Sequence, residues 1–195
     1  MRSILFTSLL QLLAVATSQS TPPQNIPVTI DVIPAIVADG PSTVQFVSTG
    51  SNFDAPKVRP LNGSTFDWWY FDVVSDDLDY SLVVVFFAST PNGLWPGVAS
   101  NMGSAVYASA VVTLPDGSSL GGGALGEDLT VVTVGDGSSG ALNGTGWGWV
   151  GLPDMSRYEI IIDDAEGGVQ GTVSFQAVRI DTSNLMKCFS QCIIM

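Results

Sequence analysis

The stretch FDWWYFDVVSDDLDYSLVVVFFA, residues 66–88, decides the fold. It holds two runs of aromatic and β-branched residues, Phe66 to Val74 and Ser81 to Ala88, and these residue types are enriched in β-strands. A short acidic segment separates the runs, as expected for a turn that joins two neighbouring strands. The stretch therefore predicts a pair of antiparallel strands, the first of which carries four consecutive aromatic side chains.

Further sequence typical of strands and turns lies on both sides of this stretch. Apolar or alternating runs, separated by turns rich in Gly and Asp, recur at intervals of roughly 10 to 20 residues. The further runs are Val28 to Ile33, Thr43 to Ser48, Ala105 to Leu114, Leu129 to Val134, Gly146 to Val150, Arg157 to Asp163 and Val169 to Ala177. After Ser18, no stretch carries the apolar spacing of an amphipathic helix. The sequence therefore predicts an all-β fold, an antiparallel meander that forms a barrel or a strongly curved sheet.

The two ends of the chain differ from this strand-rich middle. Residues 1–18 have the charge, the apolar run and the small residues of a secretory signal peptide, with a short membrane anchor as the alternative. Residues 19–25 form a polar linker, and residues 26–177 form the predicted β domain. Residues 178–195 lose the alternation of strands, and we interpret them as an atypical tail produced by truncation.

A signal peptide predicts passage through the secretory pathway, so that the protein is retained there or secreted. Two N-glycosylation sites fit that compartment, NGS at residues 62–64 and NGT at residues 143–145. We therefore expect Asn62 and Asn143 to be glycan acceptors. No later apolar run is long enough to cross a bilayer, so no membrane partner is expected after the signal is cleaved.

The composition excludes several classes of function. The chain has 195 residues, of which 46% are hydrophobic and 12% charged, so it has enough apolar material for a folded core. Lys and Arg together number 6 and Asp and Glu 18, and the resulting net charge of −12 disfavours nucleic acid as a partner. Histidine is absent, which excludes serine–histidine and cysteine–histidine catalysis and histidine-ligated zinc.

Two motifs are better explained by structure than by ligand binding. The segment GGGALG, residues 121–126, matches the pattern GxGxxG, but it follows a Pro-Asp-Gly turn and precedes a β-rich run instead of opening a helix. We predict a glycine-rich hairpin there and not a nucleotide site. Asp72, Asp76, Asp77 and Asp79 lack the ligand spacing of a calcium loop and predict a solvated acidic turn.

The aromatic run at residues 66–72 is the strongest candidate for a functional site. Successive side chains of a strand point to opposite faces of the sheet. One face carries Trp68, Tyr70 and Asp72, and the other carries Asp67, Trp69 and Phe71. Core packing accounts for one of these two aromatic faces. The other face is covered either by more protein or by an apolar ligand with a polar group, and the pattern leaves both alternatives open.

The string FDWWYFD, the acidic turn and the following SLVVVFFAS resemble the fungal Diels-Alderase family. Its members are related to hydroxyneurosporene synthase-like (CrtC/AttH-like) proteins with a lipocalin-like fold. The resemblance extends from Phe46 to Gln176 and includes the Pro-Asp-Gly turn and the strand GTVSFQ at residues 171–176. It implies a lipocalin-like first domain, whereas the second β domain of the family is missing from this chain.

The resemblance implies an enzyme of fungal secondary metabolism that catalyses an intramolecular 4+2 cycloaddition of a linear polyene, without metal or organic cofactor. Its pathway partners would be the polyketide–peptide synthase and associated enzymes that supply the polyene. A cycloaddition transfers no proton, so the absence of histidine is no obstacle. The candidate catalytic residues are Tyr70, as hydrogen-bond donor to the substrate, and Asp67 and Asp72, as polar anchors. Candidate walls of the pocket are Trp68, Trp69, Phe86, Phe87 and Tyr107.

Two other functions fit the same residues. A polyene hydratase or isomerase of the hydroxyneurosporene synthase type needs a proton donor, which an Asp with a raised pKa in an apolar pocket would supply. A secreted lipocalin-like carrier needs the pocket and no chemistry. In all three cases, the phase of the strand at residues 66–74 decides which face meets the ligand.

Overall fold

The computed structural model describes residues 25–45, 52–93, 103–164 and 168–177, together with the backbone of residues 188–193. The strands in these residues pair in antiparallel fashion throughout. They are β1 (Val28–Pro34), β2 (Thr43–Val44), β3 (Val58–Arg59), β4 (Phe66–Val74), β5 (Ser81–Ser89), β6 (Val106–Thr113), β7 (Ser119–Leu125), β8 (Asp128–Val134), β9 (Gly137–Leu142), β10 (Trp147–Gly151), β11 (Arg157–Asp164), β12 (Val169–Ala177) and β13 (Cys188–Ile193). The predicted all-β, antiparallel fold is confirmed.

The strands form two main sheets. β4, β5, β6 and β7 follow one another in a four-stranded meander. β8 to β13 form a second meander, and β1 extends it to seven strands by pairing with β8. β2 and β3 form a short ladder of their own. In the described part of the chain the sheets do not join into one closed barrel, so the observed form is the curved-sheet alternative.

The core lies between the two main sheets. The register of β4 and β5 places Trp69 opposite Phe86, and both side chains face inwards. Trp149 of β10 meets them from the seven-stranded sheet, with ring centroids 4.9 Å from Trp69 and 4.8 Å from Phe86. Around these rings the core is mostly aliphatic and draws on both sheets, with Leu82, Val84, Ala108, Leu129, Val131, Leu142, Ile160, Ile162 and Val173. Burial of this apolar surface is the main force that holds the sheets together.

The strands of the two sheets cross at a large angle. β11 begins beside the edge strand β4, where the rings of Tyr158 and Phe71 lie 5.8 Å apart. It ends beside the other edge strand, β7, where the Gly123 N–H donates to Asp164 Oδ2 at 3.0 Å. A strand that spans the facing sheet from edge to edge indicates orthogonal packing. The crossing places the first residues of β11 over the aromatic strand β4.

The glycine-rich segment belongs to β7, which pairs with β6 across the Pro-Asp-Gly turn, as the hairpin prediction requires. A Cβ on Gly122 would lie 2.2 Å from Asp164 Oδ2, so the glycine permits the close approach of β11. The sequence did not predict β9, whose Gly140 has a similar role. A Cβ there would lie 2.1 Å from the indole ring of Trp149.

Several predictions made for the ends of the chain fall outside the described residues. These are the signal peptide at residues 1–18, the linker up to residue 24, and the part of the second strand beyond residue 45. In the tail, the backbone of Cys188–Ile193 forms β13 and pairs with β12, which the sequence did not predict. Among the described residues, no helix has the length and apolar character needed to cross a membrane.

Candidate functional site

The structure decides the phase of the aromatic strand β4. Trp69 and Phe71 point between the sheets, whereas Trp68 and Tyr70 point to the outer side of the four-stranded sheet. Trp69 is 4% exposed, compared with 45% for Trp68 and 51% for Tyr70. Core packing therefore accounts for the face of Trp69, and the face of Trp68 is the one open to a ligand.

Five rings form what we call the outer aromatic face: Phe66, Trp68, Tyr70, Phe87 and Tyr107. Trp68 lies at its centre, with ring centroids 5.6 Å from Phe66, 6.3 Å from Tyr70 and 6.4 Å from Phe87. Phe87 and Tyr107 are buried beside this row and stack at 4.6 Å and 18°. Burial raises the pKa of the Tyr107 hydroxyl. A contiguous, partly exposed aromatic surface of this kind suits a flat apolar ligand.

Two predicted pocket residues lie in the closed core instead. Trp69 and Phe86, which is 0% exposed, pack against Trp149 between the sheets. Trp69 also donates from Nε1 to the Asp54 backbone oxygen at 3.1 Å. Their contribution to substrate binding stays a prediction, and their contacts in the structure are with other core residues.

The Asp67 carboxylate is engaged by the backbone. Its Oδ2 accepts hydrogen bonds from the N–H groups of Lys57 at 2.5 Å and Val58 at 3.3 Å, and its Oδ1 accepts one from the N–H of Trp68 at 3.0 Å. Burial raises the pKa of Asp67, and these three donors oppose the increase. The carboxylate thus holds the segment before β3 against β4, and its predicted catalytic role stays a prediction.

Tyr70 and Asp72 share the outer side of β4 with Trp68, as the alternation predicts. Both side chains are exposed, and the register places them opposite Val85 and Val83 of β5. A phenol and a carboxylate thus flank an apolar surface. This arrangement provides a hydrogen-bond donor and an acceptor on the same side of β4 as the exposed indole of Trp68.

A second group of polar residues, which the sequence did not reveal, lies at the end of the core. We call it the Asp54 network. Asp54 Oδ2 accepts hydrogen bonds from Ser138 Oγ at 2.6 Å and from Tyr158 Oη at 2.8 Å, and Trp149 Nε1 donates to Ser138 Oγ at 3.0 Å. Burial raises the pKa of Asp54 above its usual range. Burial and the nearby Asp54 charge raise the pKa of Tyr158 far above its usual value. The members are 84 and 104 positions apart along the chain, so no local motif marks them.

The two predicted glycosylation sites differ in their surroundings. The Asn143 side-chain nitrogen donates to Thr130 Oγ1 at 2.9 Å and also to Asp128 Oδ1, and the residue is partly buried. Asn62 accepts a hydrogen bond from the Gly63 N–H through Oδ1, so its side-chain nitrogen is not used in that contact. These contacts do not test glycan attachment, which stays a prediction for both Asn62 and Asn143.

The acidic segment between β4 and β5 folds as a turn. Asp77 Oδ1 accepts hydrogen bonds from Ser75 Oγ at 2.5 Å and from the Asp79 N–H at 3.2 Å. The hydrogen bond from Ser75 lowers the pKa of the exposed Asp77 carboxyl. The described residues contain no group of three or more His, Cys, Asp or Glu side chains arranged to hold a metal ion.

The chain is similar in sequence to fungal proteins. It shares 31% identity over 149 residues with the quinolone epoxide rearrangement protein asqO of Emericella nidulans, a match over 72% of this chain and 38% of that protein. It also shares 31% identity over 144 residues with penF of Penicillium thymicola, another quinolone epoxide rearrangement protein, over 70% of this chain and 39% of that protein. A segment of 44 residues is 50% identical to the Diels-Alderase phmD of Phaeosphaeria nodorum, over 22% of this chain and 12% of that protein. No family model matches the chain.

The fold is similar to that of CghA, whose crystal structures include one with Sch210972. The TM-score is 0.58 at 18% sequence identity, over 76% of this chain and 39% of CghA. The structure of CghA alone gives the same TM-score at 19% identity. This chain thus spans about two fifths of the length of the rearrangement proteins and of CghA. The proteins it is similar to are fungal rearrangement and Diels-Alderase proteins. This agrees in general terms with the family resemblance of the string FDWWYFD, without showing the specific reaction.

Proposed function

We propose that this protein is part of an isomerase-type cyclase that closes a ring in a linear polyene by an intramolecular 4+2 cycloaddition. The observation that carries the proposal is the outer aromatic face, a partly exposed row of rings with a phenol and a carboxylate at its border. The similarity of a short segment to the Diels-Alderase phmD supports it.

The chemistry asks for the kind of surface that this face offers. A cycloaddition is slow mainly because the diene and the dienophile rarely adopt the reactive arrangement together. A surface that holds the folded conformer lowers this entropic barrier, by on the order of 7–11 kcal/mol in favourable intramolecular reactions. In our proposal the polyene lies against Trp68, and the Tyr70 hydroxyl donates a hydrogen bond to the dienophile carbonyl, which polarises it.

The test uses a linear polyene tetramic acid that carries a diene and an activated dienophile. The 195-residue chain is expected to accelerate its cyclisation and to favour one stereoisomer. A hydrogen bond that acts in the transition state is worth roughly 1.4 kcal/mol, so Tyr70→Phe is expected to slow cyclisation about tenfold. Tyr80→Phe is the matched control, because Tyr80 is an exposed tyrosine on the turn before β5. Equal rates and equal product ratios with and without the protein would refute the cyclase proposal.

A second candidate function is the acid-catalysed rearrangement of an epoxide. It is favoured by the longer matches, which cover 72% and 70% of this chain and are with quinolone epoxide rearrangement proteins. Opening an epoxide requires a proton donor, which a cycloaddition does not. A rate that depends on the protonation of one carboxyl group would distinguish this reaction from the cyclisation, whose rate is expected to be flat with pH.

The cyclase proposal also implies a substrate and a pathway partner, and the N-terminal sequence implies a location in the cell. The substrate is a hydrophobic polyene, and it would come from a polyketide–peptide synthase. The N-terminal 18 residues would direct the protein into the secretory pathway. Expression with a C-terminal fluorescent tag tests the location, since cytosolic fluorescence would contradict it.

A further inference from the structure

The Asp54 network lies on the opposite side of β4 from the outer aromatic face and has no part in the proposed cyclisation. It joins the segment before β3 to β9 and β11 through Asp54, Ser138 and Tyr158. Around it stand the rings of Trp69, Trp149 and Tyr158, and Trp69 binds the Asp54 backbone oxygen. The result is one carboxyl group set in a largely aromatic wall.

The hydrogen-bond directions at Asp54 follow from the donors available. Ser138 Oγ accepts from Trp149 Nε1, so its own hydrogen is directed to Asp54 Oδ2. Tyr158 donates to the same oxygen. Two donors therefore meet at Oδ2, and Oδ1 makes no hydrogen bond with any of the residues that the structure describes. A proton bound by Asp54 must then sit on Oδ1, which is the free oxygen.

The charged groups around Asp54 come from three segments. Lys57, three residues further along the chain, lowers the pKa of Asp54, whereas Asp67 of β4 raises it. The Asp136 carboxylate lies next to the segment as well, accepting from the Phe53 N–H at 3.4 Å. The positive charge and the hydroxyl donors favour the carboxylate, and burial favours the neutral acid more strongly.

We propose that Asp54 is an acid site, which holds a proton on Oδ1 and donates it to the oxygen of an epoxide in an apolar substrate. This inference rests on the proposed isomerase function, and on its epoxide form in particular. A carboxyl group in aromatic surroundings is kept neutral because ionisation there loses the hydration of the charge.

The reaction with an epoxide is balanced without any co-reactant. The O–H bond of Asp54 breaks as the proton moves to the epoxide oxygen, and one C–O bond of the ring breaks. A hydride then shifts from the carbon that keeps the oxygen to the cationic carbon, and a protonated carbonyl forms. That proton returns to the Asp54 carboxylate, so the product is an isomer of the substrate.

The first experiment asks whether the acid exists, and it needs no ligand. Carbon-13 NMR of the Asp side-chain carboxyls is followed against pH in the 195-residue chain, with Asp54→Asn to assign the signal. The Asp54 midpoint is expected above 3.8, its ordinary value. Ser138→Ala removes a donor to the ionised form and is expected to raise the midpoint further. Ser139→Ala is the matched control, because that neighbouring hydroxyl accepts from the Gly151 N–H instead and should leave the midpoint unchanged.

The second experiment asks whether the acid reacts, with trans-stilbene oxide as the probe. The wild-type chain is expected to convert it to the isomeric carbonyl compound, at a rate that falls as the pH rises through the Asp54 midpoint, and Asp54→Asn is expected to lose this conversion. An Asp54 midpoint at or below 3.8, or equal conversion by the wild type and Asp54→Asn, would overturn the acid site. Absence of polyene cyclisation in a wild type that passes both experiments would instead refute the cyclase proposal and leave the acid site standing.

Discussion

The neighbouring residues Trp68 and Trp69 offer a direct test of the phase of β4, because their side chains lie on opposite sides of one sheet. The ring of Trp69 lies 4.9 Å from that of Trp149, and its Nε1 donates to the Asp54 backbone oxygen at 3.1 Å. Replacing a buried tryptophan with alanine costs about 3–5 kcal/mol. In a domain of this size each kcal/mol lowers the melting temperature by about 2–4 °C, so Trp69→Ala is expected to melt roughly 6–20 °C below the wild type.

Trp68→Ala provides the comparison, since it removes the same side chain from the next position. The ring is 45% exposed, and its ring contacts on the outer face include Phe66, Tyr70 and Phe87. An aromatic pair contributes about 0.5–1.5 kcal/mol, and solvent exposure reduces this, so the expected loss of stability is roughly 1 kcal/mol. Thermal melts by circular dichroism and urea titrations measure both variants. Equal destabilisation of the two variants would contradict the assigned faces, and a larger loss for Trp68→Ala would show that the strand has the other phase.

Three further predictions concern the core, the buried carboxylate and the glycosylation sites. Gly140→Ala places a Cβ 2.1 Å from the indole of Trp149, so urea titrations are expected to show a loss of about 1–3 kcal/mol in the free energy of unfolding. Gly121→Ala is the control and should be tolerated, because the nearest atom to its Cβ lies at 3.5 Å. Similar urea midpoints for the two variants would contradict the packing. Burial raises the pKa of Asp67 above 3.8, so its contribution to stability is complete below that pH and is lost as the pH rises through the raised pKa. The stability of the wild type relative to Asp67→Asn should therefore fall as the pH rises above 3.8, and a stability that rises instead would contradict the raised pKa. In a secretory expression host, glycopeptide mass spectrometry is expected to find a glycan on Asn62 and none on Asn143. The reason is that the side-chain nitrogen of Asn143 is already hydrogen-bonded to Asp128 and Thr130. A glycan on Asn143 would refute this prediction.

Much of the fold is predictable because strands leave a strong local signal. The bounds of β4 and β12 follow from the alternation and from the β-branched and aromatic composition. β7 and β9 carry no such signal, because they are rich in glycine and serine. They become strands since glycine lets a partner approach, as Gly122 does for Asp164 and Gly140 for Trp149.

The pairing of β1 with β8 shows a second kind of limit. Nearly a hundred positions separate Ile33 from its partner Leu129, and nothing in either run specifies the other. The pairing forms because it completes the seven-stranded sheet and brings the inward face of β1 to the shared core, where Ile33 is buried. Contacts between distant runs depend on how whole sheets pack, which a local pattern does not encode.

The sequence by itself determined that this is a β protein and that Trp68 shares a face with Tyr70 while Trp69 faces the other way, because a strand alternates with a period of two. Only the tertiary structure decided which of those faces is covered, and it did so by laying the seven-stranded sheet across the side of Trp69. The same crossing brought Asp54, Ser138 and Tyr158 together. Hydrogen bonds between residues so far apart exist only after two sheets have packed, and so the candidate acid was visible only in the folded molecule.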